Sequence, residues 1–310
     1  MSLGIGHKRK QLTFVAAFLA LILSMAGKAD AGVGMLEQGE HLITGNLSFT
    51  SADKHWDVSR HTIDNLCKAR NFGLTAGYEY GWSYFHTVYA TLGMGYRRCG
   101  QRGLAGPAVL VTGNAKGLAD IELGVRTRFS GHYLDSAAWE AFLIIPTGYD
   151  NGPSALGKGA LGAGLGVRFS SDRSHNFPFR TWRIDSRKWG WKAGSKFTYF
   201  FSGKGNSLRS YAAIQYAVTE TDFVRTGDYF DLRLINSVGF ARNNVQQQIF
   251  FNQVASSMTS SDQTSIQLSY THSFIGTGWS ANILFGKALY GRNAPISWYT
   301  GIGASYRWRD

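Results

Sequence analysis

Beyond residue 26 the sequence holds no apolar run long enough to cross a bilayer as a helix, which takes about 20 residues. A helical membrane protein is therefore excluded for the body of the chain. Proline is scarce, with five in 310 residues, as suits an all-β protein whose ladders leave no free edge. Acids are fewer than bases, 20 against 32, for a formal charge of +12. Such a balance often signals nucleic acid. An exported chain meets lipopolysaccharide phosphates or anionic solutes instead, so no nucleic-acid partner is expected. Metal and cofactor motifs are missing too. The polar stretch from Ser51 to Asn65 carries His55, His61, Asp53, Asp57 and Asp64 without the spacing of a defined site. The glycine-rich run from Leu161 to Gly166 is followed by no helix, so it is no phosphate loop. It reads as small residues that leave space.

What is present begins with residues 1–31, which read as a cleaved secretory signal. His7, Lys8, Arg9 and Lys10 form a basic start, Leu12 to Ala26 an apolar stretch, and Ala29-Asp30-Ala31 a small-x-small cleavage site. No cysteine stands directly after the apolar stretch, which argues against a lipoprotein. Gly32 to Glu40 is a short lead-in, and residues 32–310 form one domain.

The clearest pattern lies between Asn71 and Tyr96. Phe72, Leu74, Ala76, Tyr78 and Tyr80 alternate with polar or small residues, and so do Val88, Ala90, Leu92, Met94 and Tyr96. Side chains on a strand change face at each residue, so both runs have one apolar face. Folding them about Gly81-Trp82-Ser83 pairs Leu74 with Leu92, Ala76 with Ala90 and Phe72 with Met94. The same fold sets Cys67 across from Cys99, and the oxidising periplasm favours a disulfide there.

The pattern recurs around 43–49, 120–129, 139–145, 161–169, 191–201, 208–218, 229–240, 245–255, 265–274, 281–290 and 301–308. Ser171 to Lys188 reads either as one irregular strand or as none. The mean hydropathy of −0.16 does not oppose a membrane location, because the polar half of each strand dilutes it. A soluble sandwich shows the same alternation. However, Asp120, Glu122, Arg126 and Arg128 share one face of one strand, and such charges do not rest in a dry core. The fold expected is all-β, an antiparallel transmembrane β-barrel of the outer-membrane type with about twelve strands, fourteen remaining open. Short turns at 81–83, 130–133, 202–206, 242–244 and 275–279 are assigned to the periplasm, and longer loops at 51–65, 98–116 and 147–158 to the outside. Trp82, Tyr84, Trp139, Trp189, Trp191, Trp279, Trp298, Tyr299 and Trp308 suit interfacial girdles.

Alternation places Arg97, Arg126, Arg128, Arg168, Lys192, Lys196, Arg209, Arg233 and Arg307 inside with Glu79, Asp120, Glu122, Glu140 and Asp231. Bases outnumber acids, and rings of charge set pore selectivity, so a weak preference for anionic or polar-aromatic solutes is expected. The competing arrangement has these charges pairing across a narrow lumen and closing it. Catalysis is not expected. His272-Ser273 would suit an outer-membrane phospholipase, but His272 falls outward with Ile266, Leu268 and Tyr270, and no nucleophile motif follows. His86 reads as interfacial in the same way.

Two stretches resemble known families. Gly303 to Trp308 resembles the terminal-strand signal read by the barrel-assembly machinery, although Arg309 and Asp310 follow the aromatic residue. Gly117-Leu118-Ala119-Asp120-Ile121-Glu122-Leu123-Gly124, then Ile145-Pro146-Thr147-Gly148-Tyr149-Asp150 and Leu156-Gly157-Lys158-Gly159, resemble the outer-membrane barrels of the MetA pathway of phenol degradation. Gly39 to Leu42 and Ser51 to Lys54 are similar too, so the likeness covers about residues 39–170. It implies a channel in the Gram-negative outer membrane for small, including aromatic, molecules, with outer-membrane lipids and lipopolysaccharide around it. Related barrels accompany exopolysaccharide genes, which implies the alternative of a non-conducting barrel in envelope assembly.

Overall fold

The computed structural model describes residues 35–57, 59–101, 115–131, 134–147, 160–171, 189–201, 205–218, 228–240, 261–274 and 276–310. The segment 1–31 and the expected strand at 245–255 lie outside them. Thirteen strands are described: β1 (Glu40–Trp56), β2 (Thr62–Ser83), β3 (His86–Gln101), β4 (Ala115–Leu118), β5 (Ile121–Gly131), β6 (Leu134–Ile145), β7 (Gly162–Ser171), β8 (Trp189–Phe200), β9 (Asn206–Ala217), β10 (Tyr229–Phe240), β11 (Ser261–Ser273), β12 (Trp279–Arg292) and β13 (Ala294–Arg309). Each pairs antiparallel with its neighbour, and β1 pairs with β13 from Glu40↔Arg309 to Trp56↔Ala294. The sheet is therefore closed. β4 and β5 both pair with β3 and form one stave broken at Ala119-Asp120, which gives a twelve-stave barrel. Because β7 pairs directly with β8 and β10 with β11, the wall formed by the described strands has the twelve staves expected.

Outward positions are apolar and exposed: Phe72, Leu74, Leu92, Met94, Leu123, Leu165, Phe197, Leu232, Leu268, Ile283 and Ile302 among them. Burial belongs to the other face, where Thr87, Arg126, Glu140, Phe142, Gln215 and Asp231 are enclosed. This inversion of the soluble pattern is what a lipid solvent demands. From Trp82 to Phe72 the chain takes ten steps of about 3.3 Å, or about 25 Å along the axis of a barrel tilted by about 40°. That height matches a hydrocarbon core. Near the end that carries both termini, aromatic contacts ring the wall: Trp189 with Tyr216 (5.0 Å), Trp279 with Tyr306 (4.8 Å) and Trp308 stacked on His41 (4.8 Å). At the other end Phe49 meets Phe72 (4.9 Å) and Trp298 (5.2 Å).

Three expectations need correction. The first hairpin turns at Tyr84-Phe85, with Trp82 bulged, so Leu74 faces Met94, Ala76 faces Leu92 and Phe72 faces Tyr96. A shift of two residues keeps every side chain on its face, so apolar matching does not select the register. The Ser83 hydroxyl does, accepting from the Phe85 amide (3.3 Å) and bonding His86 Nδ1 (2.9 Å). The turn at 201–205 joins β8 to β9 at the end away from the termini, whereas β7 ends and β8 begins at the end with them. Turn lengths therefore do not alternate as expected. Tyr299 points inward, its hydroxyl 3.5 Å from Gln267 Oε1, and is not part of a girdle.

Leu92 lies near mid-height on the outer face. We expect Leu92→Arg to destabilise the folded barrel by about 2–4 kcal/mol, measured by reversible unfolding in lipid vesicles. Thr91→Ser, one residue away on the inner face, should change the midpoint little.

Candidate functional site

The inner face is organised by charge. Arg126, on β5, reaches over β3 to Glu79 on β2 (2.5 Å) and sits 3.5 Å from Glu140 on β6. Glu140 in turn holds Arg168 on β7 at 2.9 Å. Further along the same wall Glu122 bonds Lys196, whose ammonium lies 3.9 Å from the centre of the Phe142 ring, and accepts a bond from the Tyr89 hydroxyl (3.0 Å). The Glu122–Lys196 pair bridges from β5 to β8. Arg126 also stacks over Tyr89 (4.4 Å). Glu140 and Arg126 are nearly enclosed. Charges so placed persist only when paired, and this cluster pairs them. A second, looser group lies on β9 and β10: Asp231 accepts from Gln215 (3.2 Å) and Arg233 (3.3 Å), and Arg233 stacks on Tyr211 (5.2 Å).

Glycines on this face make room for rings rather than leaving open space. A Cβ on Gly124 would fall 2.4 Å from Tyr89, one on Gly286 2.1 Å from Tyr299, and one on Gly164 2.1 Å from Phe142. Each aromatic side chain lies flat across the neighbouring strand, and the glycine is what lets it.

The remaining expected residues are distributed as follows. Arg128 is buried and stacks at 5.6 Å on Tyr84. Arg307 lies 3.4 Å from Glu40 at the end with the termini. Lys192 and Arg209, on β8 and β9, have no ion-pair partner among the described residues. Arg209 sits directly across from Lys196. Asp120 falls in the break between β4 and β5, not within a strand. The Arg97 side chain lies outside the described residues, as do those of Cys67 and Cys99. The backbone register sets Cys99 across from Ala69 and Cys67 across from Gln101, so the cysteines are diagonal neighbours, not the facing pair expected.

The lead-in is more than a connection. Met35 packs on Ala138, and Leu36 is fully enclosed, its amide bonded to Thr87 Oγ1 (3.1 Å). Both partners are inner-face residues, so 35–36 occupy the mouth of the lumen at the end with the termini. Gly81 is glycine because Glu37 passes there: an added Cβ would lie 1.9 Å from the Glu37 carbonyl oxygen. Arg309 bonds Glu37 (2.8 Å), and Asp310 bonds His41 (2.9 Å). The two residues beyond the terminal aromatic therefore tie down the lead-in and the start of β1. Nothing in the sequence pattern announced this, because residues 35–39 neither alternate nor carry a motif.

His272 faces outward and bonds Asp228 (2.6 Å), which also accepts from the Tyr270 hydroxyl (2.8 Å). The described contacts bring it no nucleophile. In the 51–65 stretch, Asp57 accepts from the amides of Ser59 and His61 (2.8 Å each) and so closes a turn.

No family model and no curated protein sequence matches the chain. Its fold is similar to that of an outer-membrane channel from Pseudomonas putida F1, at a TM-score of 0.65 and 13% identity, covering 91% of this chain and all of that one. Autotransporter barrel domains are more distant: one from Bordetella (TM-score 0.47, 13% identity, 86% and 99% covered) and one from Neisseria meningitidis (0.44, 14%, 98% and 97%). The chain has the fold of an outer-membrane β-barrel.

We expect Gly124→Ala to destabilise by about 1–3 kcal/mol through overpacking, and to cost much less when Tyr89 is already Ala, since only that ring is displaced. Unfolding of the two single variants and the double variant checks this. The Tyr270 hydrogen bond, then that of His272, holds the Asp228 carboxyl below its ordinary range. Its stabilising contribution is present above the ordinary carboxylate pKa and is lost as pH falls through the depressed value. The difference in unfolding midpoint between the native chain and Asp228→Asn should therefore be seen at pH 7 and shrink as pH falls below the ordinary carboxylate range.

Proposed function

We propose that this chain is an outer-membrane channel of a Gram-negative cell, passing small polar or aromatic solutes by diffusion and exported by the signal at 1–31. One observation carries the reading: inside an apolar outer belt lies a charged inner face on which Lys192 and Arg209 remain free of ion pairs among the described residues. A polar interior is of no use to a barrel that only anchors, and free cations favour anionic solutes. The fold shared with the Pseudomonas putida outer-membrane channel supports the same reading. Assembly by the barrel-assembly machinery through the last strand, a place near the phenol-degradation barrels, and a Cys67–Cys99 bridge belong to this proposal. A mass shift on thiol alkylation without reductant would reject the bridge.

The alternative is a non-conducting barrel supporting exopolysaccharide or envelope assembly. It is favoured by Leu36, enclosed at one mouth of the lumen, and by the Glu122–Lys196 pair joining β5 to β8. Planar-bilayer recording separates the two. The channel reading expects small unitary currents with an anion-leaning reversal potential, which Lys192→Glu with Arg209→Glu shifts toward cations. Met35→Gly with Leu36→Gly should raise the conductance severalfold. Absence of any conductance in all of these would leave the non-conducting barrel standing.

A further inference from the structure

The outer wall is not uniform. Across β13, β1, β2, β3 and β4 a row of inward-facing residues in direct register, Gly301, Ser48, Gly73, Gly95 and Gly117, turns only its backbone to the lipid side. That backbone floors a groove of about 660 Å³ between two rows of outward side chains on the lipid-facing wall, within the size of small-molecule sites. Leu74, Met94 and Leu118 wall it on the side toward the termini, and Phe72 and Tyr96 on the other. Gly117 adopts φ +150°, a conformation that favours glycine, just before the stave breaks at Ala119-Asp120.

Immediately beyond the upper wall the same outward face turns basic. Arg70 follows Phe72 by one outward step on β2 and stands directly across from Arg98 on β3. Lys116 on β4 is directly across from Tyr96, one outward step from Arg98. All three are exposed, and none has a partner among the described residues. Two arginines facing each other across a ladder repel unless an anion joins them. Their height, one step past the belt that ends at Phe72, is the headgroup level of the leaflet away from the termini. An apolar groove capped by three cations at that level matches one lipid chemistry, acyl chains carrying a phosphorylated head.

We infer that this wall binds one molecule of lipid A, the anchor of lipopolysaccharide, with an acyl chain in the groove and a phosphate held by Arg70, Arg98 and Lys116. The site rests on the reading of this wall as facing an outer membrane, and it does not depend on whether the lumen conducts. Arginine pairs phosphate oxygens in bidentate fashion, so two facing guanidiniums and an ammonium suit a phosphomonoester better than the single diester of a phospholipid.

The test is native mass spectrometry of the full chain in detergent, titrated with bis-phosphorylated hexa-acyl lipid A and, separately, with phosphatidylglycerol. The expected result is a one-to-one lipid A complex, with phosphatidylglycerol at least about tenfold weaker. Arg70→Gln/Arg98→Gln/Lys116→Gln and, independently, Leu118→Trp, which fills the groove, should each weaken lipid A about tenfold. Heat-modified gel migration confirms that both variants are folded, and unchanged bilayer behaviour shows that the lumen is intact. Equal affinity for the two lipids, or loss in only one of the variants, overturns the proposal. So does a dimer that Leu118→Trp splits, which would make a second copy the occupant. A chain that stays monomeric in buffer without detergent would instead sink the membrane reading itself.

Discussion

Every backbone amide and carbonyl inside a bilayer must find its partner within the protein, because the hydrocarbon offers none. For a sheet the sole solution is closure, and here closure rests on the long β1–β13 ladder from Glu40↔Arg309 to Trp56↔Ala294. Much else follows from that seam. It puts the first and last strands side by side and requires an even number of staves, which is why β4 and β5 share one. It also delivers residues 35–39 to the mouth of the lumen. The Gly39 amide bonds the Gly81 carbonyl (2.9 Å), and the Asp310 amide bonds the Gly39 carbonyl (3.2 Å). Lead-in, first turn and last residue are stitched at the point where the barrel closes, so the narrowing by Met35 and Leu36 is a consequence of how the ends meet.

Side-chain alternation has a period of two, and this sets what can be read from residues alone. Whether Leu74 or Thr75 meets lipid is written in the pattern, and so are the closed barrel and the outward position of His272. A displacement of two residues changes none of these faces, so the first hairpin could be read with Leu74 against Leu92 when Met94 is its partner. What fixes the register is the bulge at Trp82 and the Ser83 hydroxyl, a local matter of turn chemistry. The diagonal offset of Cys67 and Cys99 is the same error carried to the far end of the hairpin. Tyr299 was misplaced for another reason. An aromatic residue near a strand end suits a girdle by composition, yet its parity with Gly301 and Gly303 puts it inside.

The glycines of β7 show a different limit. Small residues on an inner face read as open lumen, but Gly164 and Gly166 lie beneath Phe142 and Glu140 of β6. Which ring covers which glycine depends on the pairing of two strands, Phe142 with Gly164 and Glu140 with Gly166, so it becomes visible only once register is known. The same pairing explains how bulky residues fit within a twelve-stave barrel. The rings lie flat against the wall, each using the absent side chain of the next strand, and polar atoms remain at the centre.

That arrangement also decides which charges matter for a solute. Counting inward bases against acids treats each charge as equal, and it is not. Arg126, Arg168 and Lys196 are engaged by Glu79, Glu140 and Glu122 at hydrogen-bond distance, and a close pair presents to a passing ion a dipole whose field falls off faster than that of a lone charge. Such pairs join the staves without adding net charge to the lumen. Lys192 and Arg209 have no ion-pair partner among the described residues and so act as monopoles, whose field in a narrow, poorly screened passage reaches over the whole cross-section. Arg209 stands across from Lys196, whose own charge is taken up by Glu122, so the repulsion between the two is relieved while the field of Arg209 survives. If the barrel conducts, as proposed, Lys192 and Arg209 on β8 and β9 are therefore the inward bases that would weigh most on a passing ion, while the paired network opposite them holds the wall.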